Sequence, residues 1–199
     1  MASNIQLLIA VSAFLSGCVS LPTNQSLETP VAAETCVYNR GEMLALSQDA
    51  FDQDMEGGWR ALANRAGCIP VAADLIRDYR ETKQLTASIL YWHEGQLRAS
   101  LGETEHAIQL FEKSRHPKDD PFGWNLYVDA TIAFIRKDKL ALLNAREALA
   151  RLPRPPDFDP RDAQGNTIEV SWPPNLHVVD GLIECFEREY KDAYGVCRK

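Results

Sequence analysis

The segment "SILYWHEGQLRASLGETEHAIQLFEKS", residues 88 to 114, limits the possible folds more than any other part of the chain. Leu90, Tyr91, Leu97 and Leu101 recur at helical spacing, and Gly102 then stops the turn. A second helical period follows, with Ala107, Ile108, Leu110, Phe111 and Ser114 along one face. Glu103 and Glu105 stand at its start and Lys113, Arg115 and His116 at its end, the distribution a helix dipole favours. Two antiparallel helices joined by a minimal turn are expected.

This hairpin resembles a tetratricopeptide repeat, a helix-turn-helix unit of 34 residues. Tyr91, Gly95, Ala107 and Phe111 occupy the repeat's large, glycine, small and aromatic positions, and Gly102 lies at the inter-helix turn. The resemblance implies that Gly95 and Ala107 let the helices approach closely and that Phe111 fills the gap to the next unit. Advancing by 34 maps Ala107, Phe111 and Ser114 onto Ala141, Ala145 and Ala148, with the closing proline at Pro153. Gly95 maps onto Asp129 and Phe111 onto an alanine, so the second unit is degenerate and its phase is open by one residue. Asp120 as cap and Pro121 in the first turn are expected to start the helix "FGWNLYVDATIAFIRK", and "DKLALLNAREALARL" follows. Upstream, residues 54 to 83 read as a looser helix pair turning at Gly67 to Pro70, with a further helix near Arg40 to Phe51.

The expected fold is all-α: a short TPR-like helix-turn-helix solenoid with units at 54–87, 88–121 and 122–155, a long Pro-rich loop at 153–175 and a capping helix at 176–199. The loop holds six of the chain's eleven prolines. Within it "TIEVSW" alternates, so that Ile168, Val170 and Trp172 form one face of a short strand or extended segment; the other reading is a plain connector pinned by Trp172. Val178, Leu182, Ile183 and Phe186 make the apolar stripe of the closing helix.

The N-terminus decides the compartment. "IQLLIAVSAFLSG" has an apolar core of about ten residues, half of what a membrane span needs, and this suits the h-region of a secretory signal. Leu15-Ser16-Gly17-Cys18 resembles a bacterial lipobox, although "MASNIQ" carries no Lys or Arg; an uncleaved anchor and an ordinary buried helix are the competing readings. The resemblance implies a signal peptide at 1–17 and lipidation at Cys18, with membrane anchoring in the cell envelope and the domain facing the periplasm. Two acyl chains on one residue hold firmly. Val19, where an Asp signals inner-membrane retention, favours the outer membrane. Residues 18–35 read as a flexible tether.

With Cys18 assigned to lipid, Cys36, Cys68, Cys185 and Cys197 form an even set, which an oxidising compartment turns into disulfides. Three connectivities are open, and sequence-local pairing, Cys36 with Cys68 and Cys185 with Cys197, would tie each end of the domain to itself. The net charge of −7, with basic residues spread evenly, disfavours nucleic acid as a partner.

No catalytic motif emerges. "HEGQL" begins like a zinc-protease motif but has Leu97 where the second histidine belongs, and His93, His106, His116 and His177 fall at unrelated places, so no metal and no cofactor are expected. His93 is expected at the surface or in a groove. What remains is a binding surface. Resemblance to the repeat family implies a concave face containing Ile89, Trp92, Gln96 and Ala99, then Leu126, Ala130 and Ala133. Trp92, Gln96, Leu126 and Ala130 are expected to floor a protein-binding groove rimmed by the Pro-rich loop with Trp172; the alternative packs Trp92 against the neighbouring unit. The leading expectation is a non-enzymatic scaffold for a protein or peptide partner. An immunity or inhibitor lipoprotein against a periplasmic toxin, and an enzyme with an unrecognised site, are the alternatives.

Overall fold

Ten helices and no strand make up the described residues of the computed structural model, which are 36–117, 120–162 and 164–198. The expected signal peptide at 1–17, the expected lipidation site Cys18 and the expected tether lie outside them. In chain order the helices are α1 (Arg40–Ala45), α2 (Gln48–Asp52), α3 (Gly58–Ala63), α4 (Ile69–Lys83) and α5 (Ser88–Ser100). They continue as α6 (Thr104–Lys113), α7 (Trp124–Ile135), α8 (Lys139–Ala150), α9 (Leu176–Glu184) and α10 (Tyr190–Gly195). The protein is all-α, as expected.

Local chemistry starts and stops these helices. The side chains of Asn39, Ser47 and Asp138 accept from backbone N–H groups in the first turns of α1, α2 and α8, so the segment near residues 40 to 51 is two short helices rather than one. Three hairpins follow: α3–α4, α5–α6 and α7–α8. Their turns place Gly67, Gly102 and Lys137 in the left-handed region at φ of 77°, 77° and 57°, in steps of 35 residues (67 to 102 to 137). Buried positions recur at the same spacing: Ala72, Ala107 and Leu142; Leu75, Leu110 and Ala145; Tyr79, Ser114 and Leu149. The spacing of 34 is therefore corrected to 35. Ala145 is buried as expected, but Leu142 and Leu149 face inward where Ala141 and Ala148 were expected, and Ala148 is exposed.

Each hairpin packs on itself and on the next, through α4 against α5 and α6 against α7. A Cβ at Gly95 would stand 2.8 Å from Phe111 Cε1, so the glycine is what lets α5 and α6 meet; Phe111 fills space within its own hairpin and against Trp92, not only toward the next unit. Two apolar clusters form the core. One gathers Phe51, Trp59, Leu62, Leu75, Ile76, Tyr79 and Leu90; the other surrounds Trp92, Phe111, Tyr127, Phe134, Leu149, Val179 and Tyr190. Helix α5 belongs to both, through Leu90 on one side and Trp92 on the other. Buried apolar area of this kind is the main stabilising term, at about 25 cal/mol per Å².

Three boundaries differ from expectation. α7 starts at Trp124 behind a left-handed Gly123, although Asp120 Oδ2 still accepts from the Asn125 N–H at 2.6 Å. Of the two readings of "TIEVSW" the connector pinned by Trp172 is the one observed, and the strand is the boundary that does not form: the described residues of the loop carry one bridge, between Arg161 and Thr167. The closing helix is two helices, α9 and α10, separated by residues 185–189. Both disulfides adopt the local pairing: Cys36–Cys68 and Cys185–Cys197, with Cα atoms 5.5 and 6.3 Å apart.

Candidate binding site

The first helices of the hairpins do not present an open floor. Trp92 is 3% exposed and sits among Phe111, Trp124 and Tyr127, with ring centroids 4.6, 4.9 and 4.7 Å away. Ala130 is fully buried. Trp92 and Ala130 as groove residues are thus corrected to core residues, and the alternative in which Trp92 packs against the neighbouring unit is the one observed. Gln96 is partly buried, and its side-chain nitrogen donates to the Tyr190 hydroxyl of α10 at 3.4 Å. Helix α10 packs against α5 and so covers the face that the repeat resemblance leaves free.

The covering is extensive. Tyr190 lies 6.4 Å from Phe111 and 6.3 Å from Phe134, centroid to centroid, and the Tyr194 ring stacks on Tyr190 at 5.5 Å. Burial, with the neighbouring Tyr190 and Tyr194 hydroxyls, pushes the Tyr127 phenol well above its ordinary value; burial does the same to Tyr190. Lys137 Nζ donates to the carbonyls of Phe186 and Arg188 at 2.6 and 2.7 Å, fixing the α9–α10 connection to the α7–α8 turn. Its desolvation lowers the ammonium pKa. A cavity of about 320 Å³ remains at the edge of this contact, between Ala99, Gly102, Phe134, Lys137 and Tyr190.

Leu126 has a different setting. It lines a cleft of about 460 Å³ formed by α6, α7 and α8, together with Ile132, Ala133, Ala141, Ala145 and Ala148. Arg115 stands at its rim, donating to Glu112 and, at 2.7 Å, to Asp129, and these hydrogen bonds raise its pKa further. Arg136, Asp138 and Asn144 complete the rim. The floor is apolar, alanines with Leu126 and Ile132, and the rim carries both signs of charge.

Trp172 is placed elsewhere. Its indole N–H donates to the Leu152 carbonyl at 2.9 Å and its ring packs on Phe122 and Phe158. It pins the Pro-rich loop to the end of α8 and is corrected from rim to anchor of a connector.

The histidine nearest to chemistry is His93, which is half-buried rather than at the surface. Its Nδ1 lies 2.6 Å from Oδ1 of the fully buried Asp52, and the same oxygen accepts from Trp59 Nε1 at 2.8 Å. Arg60 closes the group, donating to the Asp52 carbonyl at 3.0 Å and facing His93 Nε2 at 3.5 Å. Burial alone would raise the Asp52 pKa, but the hydrogen bond and charge of His93, then Trp59, outweigh it and the value is lowered. These contacts join α2, α3 and α5. A second buried group clasps α4 to α5: Glu94 pairs with Arg80, whose guanidinium also lies 4.0 Å over the Tyr91 ring, and Arg98 donates to Asp74 at 2.6 Å. Removing one partner of such a pair costs more than the pair itself contributes.

Among the described residues no group of three or more His, Cys, Asp or Glu side chains is placed to hold a metal ion, and no helix is long and apolar enough to cross a membrane. Taken together, the geometry defines an all-α protein of successive helical hairpins closed by a disulfide-tied C-terminal pair. No family model matches the chain, and no curated protein or solved structure does either.

Proposed function

We propose that the protein is a membrane-anchored lipoprotein of the bacterial cell envelope whose TPR-like hairpins form a scaffold for a protein or peptide partner. The observation that carries this reading is the cleft over Leu126: an apolar floor of Leu126, Ile132 and four alanines suits a partner's apolar side chains, and a rim of both charge signs offers hydrogen bonds to a peptide. Arg115 is held rigidly by Glu112 and Asp129, so presenting it to a partner costs little side-chain entropy. The two disulfides suit an oxidising compartment, in keeping with export and anchoring through Cys18 in the outer membrane.

A photo-crosslinking residue placed at Asn144, on the rim of the cleft, tests the site in the protein's own envelope, with one at the exposed Glu56 as control. A discrete adduct from position 144 alone supports the cleft; adducts of equal yield from both positions, or from neither, contradict it. Cys18→Ser tests the anchor: it is expected to abolish acylation, and a wild-type chain found unlipidated with its N-terminus intact refutes lipoprotein processing.

A further inference from the structure

Residues 186–198 run across α5 and α7 as a strap with a fastening at each end. Lys137 holds its start through the carbonyls of Phe186 and Arg188. Its far end is tied by the disulfide between Cys185 and Cys197, 12 residues apart. Between them α10 has only six residues, too few to persist as a helix without support. A Cβ on Gly181 would come within 2.7 Å of the Cys197 carbonyl oxygen, so the glycine lets the strap's end lie flat on α9. Tyr190 points down from the strap to Gln96, and Tyr194 stacks on Tyr190.

We propose that this strap is a resident occupant of the face formed by α5 and α7, and that the Cys185–Cys197 disulfide is its lock: reduction frees the strap and uncovers Gln96 and Tyr127 while the hairpins keep their fold. The two disulfides differ in access. Cys185 is partly exposed and its partner Cys197 is 7% exposed, whereas Cys36 is 6% exposed and Cys68 fully buried, so Cys185 Sγ is the point of entry. A dithiol reductant therefore attacks Cys185 Sγ through one thiolate, forming a mixed disulfide and expelling the Cys197 thiolate. Its second thiolate then displaces Cys185. The protein disulfide takes up two electrons and the two protons released by the dithiol, which is itself oxidised to a disulfide. The lock is independent of the cleft over Leu126; the binding proposal enters only in what would use the uncovered face.

Hydrogen exchange on the full chain tests it, comparing the wild type with Cys185→Ser/Cys197→Ser, in which Cys36–Cys68 stays intact. Opening a loop of this size is expected to lower protection of residues 190–196 by roughly a hundredfold, with α6, α7 and α8 unchanged. Unchanged protection of 190–196 overturns the lock, and so does a loss that spreads through α6 to α8, since the strap would then be inseparable from the core. Limited dithiothreitol on the wild type, followed by differential alkylation, is expected to free Cys185 and Cys197 first; prior reduction of Cys36–Cys68 overturns the selectivity. None of these readouts involves a partner, so a failed crosslink at Asn144 and a failed lock are separate results.

Discussion

Gln96 on α5 donates a hydrogen bond to the Tyr190 hydroxyl on α10, at 3.4 Å across 94 residues of sequence. That contact places the C-terminal helix over the face where the repeat resemblance puts a ligand groove. It follows that the residues of this face, Trp92 first among them, act through packing.

Acid should act on the protein through Asp52. Its folded pKa lies below the ordinary value of 3.8, so its contribution is fully present above that value and is lost as pH falls through the lower, folded one. Urea midpoints are expected to stay level through this group down to about pH 4 and to fall below it. Asp52→Asn should cost about 1–3 kcal/mol at neutral pH, because His93 and Trp59 lose a charged acceptor, and should flatten the acid limb relative to the wild type. An acid limb of unchanged slope in the variant would exclude Asp52 as its source.

Two glycines should respond unequally to asparagine. Gly102 is left-handed with open space where a side chain would go, and asparagine tolerates that conformation, so Gly102→Asn is expected to cost less than about 1 kcal/mol. Gly95 is helical with the buried Phe111 ring against it, so Gly95→Asn should cost about 3 kcal/mol or more from overpacking and an unpaired amide. Thermal or urea unfolding of the two variants checks the order; equal costs would contradict the contact between Gly95 and Phe111.

The Cys36–Cys68 staple links the N-terminal segment to the start of α4 over 32 residues. Cys36→Ser/Cys68→Ser is expected to lower stability by about 3–4 kcal/mol in the chain-entropy account. Intact-mass analysis after alkylation without reductant should show none of the four domain cysteines modified, and four modified cysteines in the folded protein would refute both pairs.

The hairpin at 88–114 was legible because its period is unbroken and Gly102 marks the turn. The phase of the next hairpin was not, because "KLALLNAREALA" offers leucine or alanine on two adjacent stripes and only packing selects Leu142 and Leu149. Leu90, Tyr91 and Trp92 are consecutive, and periodicity cannot rank them on a helix buried from several sides. The break at 185–189 contains neither proline nor glycine; its cause is tertiary, in Lys137 taking the Phe186 and Arg188 carbonyls and in the Cys185–Cys197 bond. The Asp52–His93 pair, 41 residues apart, left no local mark at all. Of the residues expected on the groove face, Leu126 and Ala133 line the open cleft.

The central claim, that Trp92 is a core residue of the hairpins and not part of a binding groove, is tested most directly by urea unfolding of Trp92→Ala. A large aromatic enclosed by Phe111, Trp124 and Tyr127 should cost about 3–5 kcal/mol when truncated. A loss of that size is the result this structure predicts. A loss below about 1 kcal/mol, the range of exposed positions, would contradict it and return Trp92 to an open surface.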